Sequence, residues 1–186
     1  MRPTFLVDTN VLSQPVRPRP HPHALRRLQV HEAQVATAGP VWHELVFGCL
    51  RLPPSTRRTA IERYLFHVVQ PAVPFLPYDE RAAEWHARER ARLAALGRTP
   101  SFVDGQIAAI AAVNGLVVAT LNAGDFRGAG GGGVEDWGRD VDEASSIVAV
   151  HDKQSPPLAE LVSQRDAWLD VITGTVDGIR GATGQG

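Results

Sequence analysis

The chain predicts an α/β domain built on a central, mainly parallel sheet, and three observations carry that prediction. Short apolar runs recur at Thr4 to Val7, Gln34 to Ala38, Val73 to Leu76 and Leu116 to Thr120. Helix-like segments separate them, which is the alternation of a parallel sheet with helical crossovers. Four acids, Asp8, Glu44, Asp104 and Asp125, each stand where an apolar run meets a helix or loop. The carboxyl ends of parallel strands face one crevice, so acids distant in sequence can converge there.

The elements follow in order. Thr4 to Val7 reads as a buried strand, and Asp8-Thr9-Asn10 ends it with residues that cap a following helix. Gln34 to Ala38 is a weaker strand, after which Gly39-Pro40 opens a helix to about Leu50, with proline in the first turn where its missing N–H is harmless. Pro53-Pro54-Ser55 starts a helix to about Val68. Val73 to Leu76, with prolines at 71, 74 and 77, is an edge strand. Asp79 begins a long amphipathic helix that Gly97 stops, and Ser101 opens another that runs to Asn114-Gly115. Leu116 to Thr120 is the clearest buried strand.

Every motif acid and every firm strand precedes Trp137, so residues 1–137 are expected to form one domain and 138–186 a C-terminal extension. Gly128 to Gly133 reads as a flexible loop. The extension carries a strand-like run at Ile147 to Val150, an apolar stripe that predicts a helix over 157–172, and a Gly-rich end expected to be disordered. A chain of 186 residues suffices for one sizeable core. No apolar run approaches the roughly 20 residues of a membrane span, and the N-terminus lacks a signal-peptide pattern. A cytoplasmic protein is expected. Cys49 is the single cysteine, which excludes an internal disulfide and a cysteine-based zinc site.

The net charge of −1 hides an asymmetry. Residues 1–137 hold 15 arginines and 12 acids, net +3, whereas 138–186 hold 4 basic and 8 acidic side chains, net −4. With four site carboxylates offset by metal, the first segment would stand at about +7, a surface suited to phosphates. Arg17, Arg19, Arg26, Arg57, Arg58, Arg88 and Arg92 are candidates for backbone contacts, set against the plainer role of a solvated helix face. The seven histidines show no metal-ligand spacing and read as surface or partly packed residues.

Each acid alone has a plain structural explanation. Asp8 can be a helix N-cap, Glu44 a helix acid favoured by the dipole, Ser101-x-x-Asp104 a variant capping box, and Asp125 a turn aspartate. Their shared position is the stronger argument. Two carboxylates about 5 Å apart repel by roughly 3 kcal/mol at an effective dielectric near 20, so four together must take up cations or protons. A ligand set of hard oxygens favours Mg²⁺, with Mn²⁺ as the other candidate.

In order and spacing, Leu6-Val7-Asp8-Thr9-Asn10-Val11-Leu12, His43-Glu44-Leu45 with Gly48, Asp104-Gly105-Gln106-Ile107-Ala108-Ala109 and Thr120-Leu121-Asn122-Ala123-Gly124-Asp125-Phe126 resemble the PIN-domain signature. The resemblance covers residues 4 to about 137 and points to VapC-type toxins, with Pro77 to Arg98 favouring the FitB-like branch. It implies a three-layer α/β/α domain and a metal-dependent endoribonuclease with Asp8, Glu44, Asp104 and Asp125 as catalytic and metal-binding residues. Asn10, Thr120 and Asn122 match supporting positions. The resemblance further implies an RNA substrate, with tRNA expected, a homodimer, and a small DNA-binding antitoxin as cognate partner. The alternative from another class is a PIN-like module that binds RNA or protein without catalysis. A phosphatase of the haloacid dehalogenase type would need Asp-x-Asp-x-Thr at the first strand, where this chain has Asp8-Thr9-Asn10-Val11-Leu12.

Overall fold

In the computed structural model, which describes residues 2–126, 130 and 132–139, five short strands make one sheet. They are β1 (Phe5–Val7), β2 (Val35–Ala38), β3 (Phe75–Leu76), β4 (Val117–Thr120) and β5 (Val134–Asp136). Across the sheet the order is β3-β2-β1-β4-β5, and every pairing is parallel. Leu6 lies level with Ala36 on one side and with Val118 on the other. Parallel strands buried on both faces read as unbroken apolar runs, and Phe5, Leu6 and Val7 are all buried. The buried polar exception in β2, Thr37, donates its hydroxyl to the Val7 carbonyl at 3.2 Å.

Helices α1 (Thr9–Leu12), α2 (Pro22–Val30), α3 (Gly39–Leu50), α4 (Thr56–Tyr64), α5 (Gln70–Ala72), α6 (Glu80–Ala95) and α7 (Phe102–Asn114) complete a three-layer α/β/α arrangement. Their ends follow local chemistry. Asp79 caps α6 by accepting the Ala82 N–H at 2.9 Å, and Ser55 does the same for α4 through the Arg58 N–H at 3.2 Å. Gly115, at φ +68°, closes α7 in the left-handed conformation that a side chain would resist. Leu6, Leu12, Leu28, Leu65, Ile107, Ile110 and Trp137 are fully buried. Each such side chain contributes roughly 1.5–3 kcal/mol of transfer free energy.

Three elements differ from the sequence reading. Residues 13–33 carried no assigned element, yet α2 forms there with Ala24 and Leu28 inward. The helix expected from Pro53 starts at Thr56, because Pro53 and Pro54 precede its Ser55 cap, and it continues through a π-helical turn at Leu65–Val69 into α5. Val134 to Asp136, read as the close of the compact unit, is a fifth strand, and its half-buried Val-Glu-Asp gives no apolar signal. The expected strand at 147–150 and helix at 157–172 lie outside the described residues, as do residues 128, 129 and 131 of the loop at 128–133. Among the described residues no helix is long and apolar enough to cross a membrane.

The strand order reverses between β1 and β4, since β2 and β3 continue to one side and β5 to the other. Such a switch point opens a crevice beyond the carboxyl ends of the two strands. Asp8 follows β1 and Thr120 ends β4, so both stand at its mouth.

Candidate active site

Asp8 is the deepest of the four acids, 8% exposed. Its backbone N–H bonds the Ala119 carbonyl at 3.0 Å, which extends the β1–β4 ladder one step and points its carboxyl into the crevice. One carboxyl oxygen accepts the Thr9 N–H at 2.7 Å, so Asp8 is the N-cap of α1. The other accepts the Thr120 hydroxyl at 2.9 Å. Burial pushes the Asp8 carboxyl up to about 6; these two hydrogen bonds oppose the rise, and the charges of Glu44 and Asp104 add to it.

Asn10 and Thr120 form the bracket behind Asp8. The Asn10 amide nitrogen donates to the Thr120 hydroxyl oxygen at 2.9 Å, and its carbonyl oxygen accepts the Leu121 N–H at 2.9 Å. The Asn122 N–H also donates to the Thr120 oxygen, at 3.1 Å. The Thr120 hydroxyl thus faces two acceptors, Asp8 at 2.9 Å and the Asn10 carbonyl oxygen at 3.3 Å, and the shorter bond is the one to Asp8. Further along the same loop, the Asn122 amide donates to Asp125 Oδ2 at 2.5 Å and the Asp125 N–H returns to the Asn122 carbonyl at 3.1 Å.

Glu44 sits in the second turn of α3, and Thr9 donates its hydroxyl to Glu44 Oε2 at 2.5 Å. The sequence reading used Thr9 only as a helix-capping and motif residue and gave it no role at the site. The available signal was a hydroxyl directly after the strand-end acid. Asp104 lies in the first turn of α7, where its N–H reaches the Ser101 hydroxyl at 3.5 Å, the N-cap half of the expected capping box. Burial raises the Asp104 carboxyl above the usual range, the charge of Asp125 adds to this, the Ser101 hydrogen bond opposes it, and Glu44 raises it further. Among the described residues no cation pairs with any of the four acids.

The four acids thus share one electrostatic neighbourhood. As they stand, the described residues hold no group of three or more His, Cys, Asp or Glu side chains arranged to hold a metal ion. The donor chemistry, all carboxylate and hydroxyl oxygen, fits a hard divalent cation.

Several arginines read as phosphate contacts are engaged on their own helices. Arg58 pairs with Glu62, Arg88 with Glu84, and Arg92 with Glu89. One histidine departs from the sequence reading: His86 is buried at 4% exposure, its Nδ1 paired with the Tyr78 hydroxyl at 2.9 Å. Burial, and then the charge of Arg90, hold its pKa below the ordinary value. Its place on the Ala/Trp/Leu side of α6 is the sequence signal for that burial.

The PIN-domain profile matches residues 5–131. The chain is 31% identical to Toxin FitB of Neisseria gonorrhoeae over 130 residues, 66% of this chain and 90% of that protein. It is 28% identical to the tRNA(fMet)-specific endonuclease VapC of Shigella flexneri over 134 residues, 72% of this chain and 97% of that protein. The solved structure of DNA-bound VapBC from Salmonella typhimurium superposes with a TM-score of 0.63 at 27% identity, over 73% of this chain and 98% of that one.

Proposed function

The chain belongs to the PIN-domain family, and from that premise we propose that it is a metal-dependent endoribonuclease, the toxin of a toxin–antitoxin pair. The observation that carries the reading is the set of four acids around the β1–β4 switch point with no cation of the described chain to offset them. Asp8, Glu44, Asp104 and Asp125 would hold Mg²⁺ or Mn²⁺. When bound, such an ion acidifies water and offsets charge on the phosphoryl oxygens.

The chain's own residues do the positioning. Thr120, braced by Asn10, fixes Asp8; Thr9 fixes Glu44; Asn122 fixes Asp125. Without a cation these carboxylates would repel a phosphodiester. The endonuclease named for tRNA(fMet) supports tRNA as substrate, and the DNA-bound VapBC assembly supports a DNA-binding antitoxin as partner. A homodimer completes the proposal.

The test is cleavage of a broad RNA pool, tRNA included, by the purified chain. Cleavage is expected with Mg²⁺ or Mn²⁺ and none with excess EDTA. Undiminished cleavage in chelator contradicts the metal role. Inactivity on every RNA with either metal would decide for the second reading, a PIN-like module that binds RNA or protein without catalysis.

A further inference from the structure

Of the six large apolar side chains that stand exposed among the described residues, three, Phe47, Leu50 and Phe66, gather on α3 and the π-helical turn beside it. They form one face. Trp42, Val46 and Leu50 recur every four residues and so make a ridge about 12 Å long on α3, with Phe47 next to it. Phe66 meets Trp42 edge-on with ring centroids 5.5 Å apart, and Trp42 meets Phe75 of β3 in the same way at 5.2 Å. The rim is basic. The Arg51 guanidinium carbon lies 5.6 Å over the Phe47 ring, Arg63 precedes Phe66 by one turn, and among the described residues neither arginine forms an ion pair.

We propose that residues 157–172 of this same chain dock on that face and cover it in cis. Two properties of the segment match the face. At helical spacing its apolar residues Leu158, Leu161, Val162, Trp168, Leu169 and Ile172 fall on one side, a stripe of about 20 Å that exceeds the length of the ridge. Its charge is opposite: Glu160, Asp166 and Asp170 outnumber Arg165 by two and would meet Arg51 and Arg63. A second copy of the chain seated symmetrically on the same face would bring the same arginines to the rim, like charge against like. Reach is no obstacle. Past Arg139, residues 140–156 extend to at most about 55 Å, against roughly 20 Å for the width of a five-stranded sheet. Docking takes the apolar side of the segment and the ridge out of water together. The family profile ends at residue 131, so this cover belongs to the extension of this chain and does not depend on the nuclease reading.

The test uses the full chain carrying Cys49→Ala, which removes its single cysteine. Phe47→Cys is combined in turn with Leu158→Cys, Leu161→Cys or Leu169→Cys on the stripe, and with Ser163→Cys on the opposite side as control. Each variant is checked for fold by circular dichroism, and the products of mild oxidation are weighed. A disulfide within one chain is expected for at least one stripe position, forming faster than with Ser163→Cys. In the chain with its native cysteine, Phe47→Ser with Leu50→Ser should speed tryptic cutting after Arg165 by at least roughly tenfold, because cutting follows the undocked population and one buried leucine shifts it by about that factor. Disulfides formed only between chains would give the face to a second copy. Stripe disulfides no faster than the control, or cutting after Arg165 at the wild-type rate, would leave the segment undocked. Any one of these three results overturns the proposal.

Discussion

At the scale of the residue, Asp8 shows how the site is maintained at a cost to the fold. Its carboxyl is raised to about 6 from 3.8, chiefly by burial. The folded chain therefore holds a proton that the unfolded chain has already released between about pH 4 and 6, and stability must fall as pH rises through that window. The loss from this group amounts to roughly 3 kcal/mol. It is complete above about pH 6. Urea unfolding of metal-free wild type and Asp8→Asn isolates it from other titrating groups. The variant should gain on wild type by about 2 to 3 kcal/mol from pH 4 to 7, and a difference that stays flat contradicts an ionised, buried Asp8. Gly105 is the second such residue. Gly105→Ala sets a methyl against Nε2 of the His86 imidazole that Tyr78 holds, with an expected loss of about 1–3 kcal/mol. If that contact is the cause, Gly105→Ala with His86→Ala should lose less than the sum of the single changes by more than about 0.5 kcal/mol. Additive losses would place the strain elsewhere.

At the scale of the element, β5 is the strand held least by its own apolar content. Glu135 accepts from Arg27 of α2 at 2.6 Å and from the Trp137 indole at 3.2 Å, and the Arg27 guanidinium lies 5.3 Å over the Trp137 ring. Arg27→Ala should therefore loosen this edge while β1 and β4 stay paired. Hydrogen exchange should quicken at the Trp137 N–H, which bonds the Thr120 carbonyl, and remain slow at the Asp8 N–H. Equal acceleration at both would mean that Arg27 supports the whole sheet. The same contrast explains what was legible. β1, β2 and β4 announce themselves because central parallel strands are apolar on both faces. The strand β5 is an edge with two acids in three residues, and the α2 signal is the single pair Ala24 and Leu28 between prolines, so neither stands out. Site residues were legible where a motif marks a strand end, as with Asp8, Thr120 and Asn122. Thr9 acts across 35 residues on Glu44, for which the sequence holds only a hydroxyl beside the strand-end acid, and His86 packs between helices, for which it holds only a place on the apolar side of α6.

At the scale of the whole molecule, one argument links topology to chemistry. A parallel sheet whose order reverses between β1 and β4 brings strand-end acids to a common crevice. The fold then bears their mutual repulsion, which the proposed cation would offset. A ligand that binds the folded state alone stabilises it by mass action, so the site should report itself in the melting temperature. The most direct measurement is a set of thermal melts at pH 7 for wild type and Asp104→Asn, each with and without Mg²⁺. Without metal, losing one half-buried charge should stabilise the variant by about 1 kcal/mol after solvent screening. With Mg²⁺, wild type should rise in melting temperature and the variant should rise much less. A variant that is destabilised without metal and gains from Mg²⁺ as much as wild type would reduce Asp104 to a helix cap and contradict the convergent site.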